Sequence, residues 1–432
     1  MIKITVKATL TPPVTLHRLQ YVLSFLQQHP AAPSDVIFEI QQHEQENYTV
    51  NDYSIFCNRQ YFHLPVLQQM PRANCFQWQD KILLAIGQSD DSCSIRFDIF
   101  ETIFFLISRY EEWFCNPATD HDKYNMLLTW KHFLVQQNLH RTPVVDYLVL
   151  FFYTKIGLSP TSNNTIFQLS HDIDAIKKYP SFYKFIRSIA HIFVHKKGNF
   201  STILKLFRQY FRQLLGKEKD VFDTFEWLLR ENTFFSKKVI YFLCGGITKY
   251  DNFFDIRDKY LQTIFDNARK YGYIIGLHPS FATWKNKTLF EKELAELQEV
   301  TQQKITHTRQ HFLRFAFGKT SEIIDDLNFT EDGSLGYQDK IGFRCGTGFA
   351  YKLYNFISEK PYKFLTQPLA IMDSALLQEV GNDIVEFEKQ FVQFAEQNQQ
   401  HTCIHINFHN STFDDAMLDA NRLRQFYLQL GN

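Results

Sequence analysis

Glycine is scarce in this sequence, 16 among 432 residues, and neither sign of charge prevails, with 46 Lys and Arg against 46 Asp and Glu. The first shortage excludes a collagen-like repeat. The charge balance argues against a surface built throughout to grip nucleic acid, and no nucleic-acid partner is expected. The seven cysteines, at 57, 75, 93, 115, 244, 345 and 403, contain no CxxC pair. That removes the usual spacing of a structural zinc site and gives no sign of a disulfide framework. No apolar run approaches the ~20 residues that cross a bilayer; Tyr147–Tyr153 is among the longest. The opening segment MIKITVKATLTPPVTLHRL alternates apolar and polar residues like a strand and lacks the apolar core of a signal peptide. Together these absences lead us to expect a soluble protein of a reducing, cytoplasmic compartment.

Phenylalanine, by contrast, is plentiful, at 44 residues. Phe at that density suits large, well-filled cores. With 45% apolar and 21% charged residues the composition is globular. At about 150 residues per domain, the length suggests two or three domains. The clearest seam is the polar, turn-forming run at 157–165. Before it, a strand is expected at Ile2–Ala8, a helix at about Leu16–Gln28, and a strong helix over Asp98–Phe114. Arg109-Tyr110-Glu111-Glu112, at the polar end of that last helix, reads as solvated charge, with a ligand contact as the alternative.

Beyond the seam, short apolar runs alternate with amphipathic segments. Strands are expected at Ile166–Ser170, Val239–Leu243, Tyr273–Leu277, Phe312–Phe315 or slightly earlier, Gly342–Arg344, Leu369–Met372 and Cys403–Phe408. Helices are expected near 255–271, 286–304, 320–327, 384–399 and 413–429. This alternation predicts an α/β domain with a mostly parallel sheet, whose seven units are enough to close into a barrel. The expected organisation is a smaller α/β domain over 1–160 and a (β/α) barrel over 161–432, interrupted by a basic helical insertion at about 177–235. Between Lys177 and Lys219 stand eleven Lys and Arg and one acid, Glu218. Such a segment either packs on its own domain with a solvated basic face or lies against an anionic membrane or polyanion.

Polar residues cap the expected strands: Ser170-His171-Asp172-Ile173-Asp174, His278-Pro279-Ser280, Arg309-Gln310-His311, Arg344-Cys345-Gly346-Thr347, Met372-Asp373 and Asn407-Phe408-His409-Asn410. In an α/β barrel the strand ends converge on one mouth. Two carboxylates at i and i+2 of a strand end point to one side, and such a pair calls for a nearby cation or a shared proton. A divalent metal on one carboxylate and His278 would meet that need, leaving the second carboxylate as a general base and His409 as a general acid. Each signal has an ordinary alternative: Asp-x-Asp as a helix cap, His-Pro as a turn, Arg344 as a partner of some carboxylate within the domain.

The order Ser-His-Asp-Ile-Asp, then Ile-Gly-Leu-His-Pro-Ser, then a late strand ending in His resembles the polysaccharide deacetylases with a NodB homology domain, carbohydrate esterase family 4. Further phrases shared with a bacterial subgroup of such proteins are DTFEWLL (223–229), YFLCGG (241–246), RQHFLRF (309–315), SLGYQDKIGFRCGT (334–347), LAIMD (369–373) and INFHNS (406–411). They span about 166–432. DIFETIFFLISRYEEW (98–113) and RTPVVDYL (141–148) resemble the domain of unknown role that precedes the barrel in that subgroup. The resemblance implies a seven-stranded deacetylase barrel, with Asp172 as base, Asp174 and His278 as metal ligands and His409 as acid. It also implies an arginine orienting the base, Arg344 or Arg314, with Arg344 the better placed.

One departure stands out. The family's second histidine, four residues from the first, is missing: Ala282 and Ile274 occupy the two positions four away from His278. His311 is the candidate replacement, the alternatives being a histidine of the barrel wall or a metal touched by both Asp172 and Asp174. The expected function is metal-dependent removal of an N- or O-acetyl group from a carbohydrate, with zinc, cobalt or nickel as the ion. The competing reading is an impaired barrel that binds a glycan or glycolipid. A metal-free glycosidase fits less well, because its two carboxylates stand about 5–10 Å apart across a sugar ring and not on one strand end.

Overall fold

The alternating segment at the amino terminus forms strand β1 (Ile2–Ala8), which buries every second side chain from Ile4 onward. The computed structural model describes residues 1–10, 13–44, 46–58, 72–195, 200–230, 233–246, 248–251, 254–414 and 419–430. Helix Pro13–Gln28 carries the chain from β1 to β2 (Val36–Gln42), which pairs with it in parallel. β3 (Tyr48–Val50) and β4 (Tyr53–Ile55) complete a four-stranded sheet, and β5 (Ala73–Trp78) and β6 (Lys81–Ile86) form a separate hairpin.

The single helix expected over Asp98–Phe114 is two helices, Ile99–Ile107 and Tyr110–Phe114. Arg109 separates them in a left-handed conformation, φ 56°, which a residue other than glycine adopts only at a cost. That cost is met by a buried ion cluster. Arg109 pairs with Glu111 and, at 2.8 Å, with Glu112, while Arg344 pairs with Glu112 from the far side of the chain. All four side chains are 4% exposed or less. The expectation of solvated charge is therefore corrected. Amphipathic periodicity sees one helix at a time and cannot register a guanidinium that arrives from residue 344.

Two further contacts join the region before the seam to the region after it. Arg18 binds Glu359 at 2.8 Å, and Asp146 accepts a hydrogen bond from the Thr402 hydroxyl at 2.6 Å. One apolar core runs through both regions, from Ile4, Phe104 and Phe152 to Ile240, Phe242 and Leu277. The run at 157–165 thus divides two sequence patterns but not two cores.

After it comes a nine-stranded sheet: β7 (Ile166–Ile173), β8 (Lys237–Leu243), β9 (Ile274–His278), β10 (His307–Thr308), β11 (Glu331–Asp332), β12 (Tyr351–Asn355), β13 (Lys360–Thr366), β14 (Ile371–Met372) and β15 (Cys403–His409). The order is β12-β13-β11-β10-β9-β8-β7-β15-β14, and every neighbouring pair is parallel except β12 with β13. The fold is α/β with a large, mostly parallel sheet. The hydrogen-bonded ladder does not close on itself, because β12 and β14 are its two edges; the closed seven-stranded barrel is not what this pairing forms. The sheet is nonetheless strongly curled. Arg309, just past β10, touches Asp172 on β7 and Asn407 on β15, strands that lie ~14 and ~19 Å away in a flat sheet.

The segment Phe312–Phe315 is not a strand. Its place in the sheet is taken by β10, and His311–Leu313 form a 3-10 turn in which Phe312 and Leu313 have φ of 61° and 52°. Gly342–Arg344 is a loop, with Gly346 in a left-handed turn (φ 70°) packed against Val145. β12 and β13 lay outside the sequence expectation. Helices lie at Lys259–Lys270, Lys287–Thr301, Thr320–Asp326, Ile384–Gln397 and Ala420–Gln429; residues 415–418 of the last expected helix lie outside the described ones. The insertion forms helices Phe182–His195, Phe200–Leu214 and Phe225–Leu228. Among the described residues no helix is long and apolar enough to cross a membrane.

Breaking a buried ion pair leaves an uncompensated charge, at a cost of about 3–5 kcal/mol. Arg344→Met is expected to lose that much stability in urea unfolding. A loss under about 1 kcal/mol, the size of a surface pair, would show that the cluster does not brace the two regions.

Candidate active site

Parallel register explains how residues distant in sequence meet. β15 pairs with β7 so that His409 lies opposite Asp172, and β8 pairs with β9 so that Leu243 lies opposite His278. Side chains two apart on β7 share a face, so Ser170 and Asp172 both point into the curl of the sheet. There Arg309 receives them, donating to Ser170 Oγ at 2.8 Å, Asp172 Oδ1 at 2.9 Å, Asn407 Oδ1 at 2.6 Å and the Gly333 carbonyl at 3.0 Å. Its guanidinium also lies 4.6 Å from the Tyr241 ring centre. The arginine that holds Asp172 is therefore Arg309. Arg344 is committed to Glu112, and Arg314 donates to the Tyr124 and Phe281 carbonyls at 2.8 and 2.9 Å. Neither reaches Asp172.

At the mouth of the curl lies a cavity of about 430 Å³ that reaches Asp172, Asp174, His278, His311 and His409. Asp174, just past the end of β7, sends Oδ1 to within 3.2 Å of His278 Nε2 and 3.7 Å of His311 Nε2. The second nitrogen of each ring is occupied. His278 Nδ1 lies 2.6 Å from the Arg309 carbonyl, and His311 Nδ1 lies 3.1 Å from Asp251 Oδ1. Both partners accept protons, so each Nδ1 carries a proton and Nε2 is the nitrogen that each ring turns toward Asp174. Asp174 Oδ1 is buried yet has no hydrogen-bond partner. A buried carboxylate oxygen set between two imidazole Nε2 atoms is a donor set that could hold a divalent cation, each imidazole already oriented by an outer acceptor. Asp174, His278 and His311 form such a group, their donor atoms within 4.8 Å of one another. Asp172 stands outside it, with one oxygen on Arg309.

Burial opposes ionisation of Asp174, but His311 and His278 outweigh it and hold the carboxyl far below its usual range. Burial alone would lower His278; the Asp172 and Asp174 carboxylates raise it instead above the ordinary imidazole value. Opposite them, His409 Nδ1 binds Asp373 at 2.6 Å, and its Nε2 lies 3.8 Å from Asp172 and 4.0 Å from Asp174. Burial lowers His409 as well, yet Asp373, with Asp174 and Asp172 behind it, raises it to about 10.

Sequence reasoning missed Arg309, Asp251 and Asp373 as working residues. Arg309 and Asp373 did stand at expected strand ends, but nothing in a linear chain marks which arginine reaches which carboxylate. Tyr124, from the region before the seam, also lines the cavity. A second group of carboxylates and imidazole, Glu111, Glu112 and His132, is also close enough for a metal, but Arg109 and Arg344 already neutralise it.

A family model described as a family of unknown function (DUF7033) matches residues 8–158. No curated protein matches. A solved structure described as a "putative polysaccharide deacetylase from Mycobacterium smegmatis" is similar at 12% identity and a TM-score of 0.35, over 63% of this chain and 85% of that one. That similarity is distant.

Purified protein is expected to take up one divalent ion, and Asp174→Asn, His278→Ala and His311→Ala should each abolish or sharply weaken uptake in equilibrium dialysis. Unchanged affinity in His311→Ala removes it from the ligand set. Asp251→Ala, which removes the acceptor that orients the His311 ring, should cost about 10–100-fold in affinity. Because the ion displaces a proton from His278, affinity should rise with pH through and above the ordinary imidazole range, with proton release; a flat profile would contradict the raised imidazole.

Proposed function

We propose that the chain is a metal-dependent hydrolase that removes an N- or O-acetyl group from a carbohydrate. The observation that carries this reading is the arrangement around one cavity: Asp174, His278 and His311 on one side, the Asp172–Arg309 pair beneath, and the His409–Asp373 pair opposite. The acetyl group and the sugar rest on the motif resemblance, and zinc is the ion we assign to the three donors, which also suit cobalt or nickel. When bound there, such an ion supplies Lewis acidity toward a carbonyl oxygen and toward water.

The residues divide the proton work between them. Asp172, its Oδ1 held by Arg309, turns Oδ2 toward the cavity as the base that takes a proton from the attacking water. His409 is the acid. Its Nδ1 is fixed by Asp373, so the proton it can give sits on Nε2, which faces the same space. At 3.8 Å the two groups are too far apart to satisfy each other by a hydrogen bond. This leaves room for a reacting group between them. The departing amine or hydroxyl takes the His409 proton as the carbon–nitrogen or carbon–oxygen bond breaks.

The competing reading, a barrel that binds a glycan without turnover, draws on Ala282 in place of the family's second histidine. It loses that support if His311 binds the ion. Assays of acetate release from N- and O-acetylated oligosaccharides separate the two. Asp172→Asn and His409→Gln should each lower kcat by about 10²–10⁴-fold while retaining the metal. Metal-loaded wild type that binds glycans yet releases no acetate would overturn the enzyme reading. The alkaline limb of the pH–kcat profile should follow loss of the His409 proton, above the ordinary imidazole range. In Asp373→Asn that limb should move to lower pH, and a limb that stays in place would exclude His409 as the acid.

A further inference from the structure

The insertion after β7 carries its own small core. Phe185, Leu206 and Tyr210 are buried, with Tyr179, Ile189 and Phe207 packed against them, apart from the two larger cores of the protein. The Phe185 and Tyr210 rings stack at 4.1 Å and clamp the helices Phe182–His195 and Phe200–Leu214 together. This core is too small for the apolar residues available. Phe182, Leu204, Phe211 and Leu215 remain 54%, 60%, 49% and 67% exposed, and Tyr183 and Leu214 are exposed too.

These residues are not scattered. Leu204, Phe211 and Leu215 follow one another at i, i+7 and i+11, a single stripe about 40° wide along a helix; the Leu215 amide still bonds to the Phe211 carbonyl at 3.0 Å. The rings of Phe182 and Phe211 both lie against Tyr210, at 6.1 and 5.8 Å, which joins the stripes of the two helices into one patch. Exposed Lys184, Arg187, Arg208 and Lys217 stand on the same two helices and the turn that follows them, while Lys219 pairs with Glu226 at 2.7 Å and Arg212 with Glu218. An exposed apolar patch of large side chains among basic residues marks a binding surface.

We propose that this helical hairpin docks the protein on the surface of an anionic phospholipid bilayer. The chemistry is complementary on both counts: Phe and Leu enter the boundary between headgroups and acyl chains, and Lys and Arg meet lipid phosphates. A second copy of the chain is a poor occupant, because it would set two strongly basic patches face to face. The root of the hairpin is tied to the active-site rim. Lys178 binds Asp414 at 2.7 Å, and Asn410, beside His409, donates to the Ala175 carbonyl at 2.8 Å. Docking therefore holds the cavity at a fixed position relative to the lipid surface.

The test is co-sedimentation of the full chain with vesicles of phosphatidylcholine, alone or with about 30% phosphatidylglycerol. The chain should pellet with the anionic vesicles only, and binding should fall at least about tenfold between ~0.05 and ~0.5 M salt. The variants Leu204→Ser/Phe211→Ser/Leu215→Ser and Arg208→Glu/Lys217→Glu, all at exposed positions, should each lose at least about tenfold in vesicle affinity with an unchanged circular dichroism spectrum. Should one of them misfold, the lipid and salt dependence of the wild type still decides. Equal binding to neutral vesicles, or variants that bind like wild type, would overturn the proposal. So would a wild-type chain that ignores both vesicles, whether it binds an immobilised acidic polypeptide or forms a dimer that Phe211→Ser dissolves.

Discussion

The guanidinium of Arg309 is the interaction on which the rest of the site depends. It is fully buried and reaches β7, β15 and the residue after β11, while its face rests on Tyr241 of β8. A buried cation needs compensation from all sides, so these contacts pull strands together that a flat sheet would keep far apart. The curl of the sheet and the position of Asp172 are thus one fact seen twice. Once Asp172 is committed to Arg309, its neighbour Asp174 is left to the imidazoles of His278 and His311. The two carboxylates of the Asp-x-Asp pair thus have different partners.

The same logic of outer partners organises the remaining groups. His278 is oriented by a carbonyl, His311 by Asp251 and His409 by Asp373. Each imidazole therefore presents one defined nitrogen to the cavity, which a histidine without such a partner does not do. Two loops and the first turn of the helix Asp373–Glu379 supply these acceptors, so the site is as rigid as the packing that holds them.

The region before the seam takes part in this packing. It closes one apolar core with the sheet, buries Arg344 against Glu112, and sends Tyr124 to the cavity wall beside Phe312. The Arg314 side chain pins that wall by donating to the Tyr124 carbonyl. A segment as polar in sequence as Arg109–Glu112 is interior because part of its counter-charge, Arg344, lies on a loop more than two hundred residues away in the chain.

Much of the site was legible without coordinates. Asp172, Asp174, His278 and His409 stand where apolar runs end, and parallel strands gather their ends by geometry alone, so residue types and their order nominated them as candidates; His311 entered as a ligand only as the replacement for the histidine that the family resemblance led one to expect. Most of the long strands were legible for the same reason, since alternation and apolar runs are local properties. The short strands β10 and β11 were not, because two-residue strands have no period to detect; the antiparallel β12–β13 pair was missed although β13 alternates buried and exposed side chains, and the open edges of the sheet are a matter of pairing alone. The choice of Arg309 over Arg344 and Arg314 belongs to tertiary structure, as do the Asp251 and Asp373 partners and the burial of Arg109. Those outcomes are settled by which charges meet in a water-excluding interior, and that meeting is a property of the folded chain, not of any segment of it.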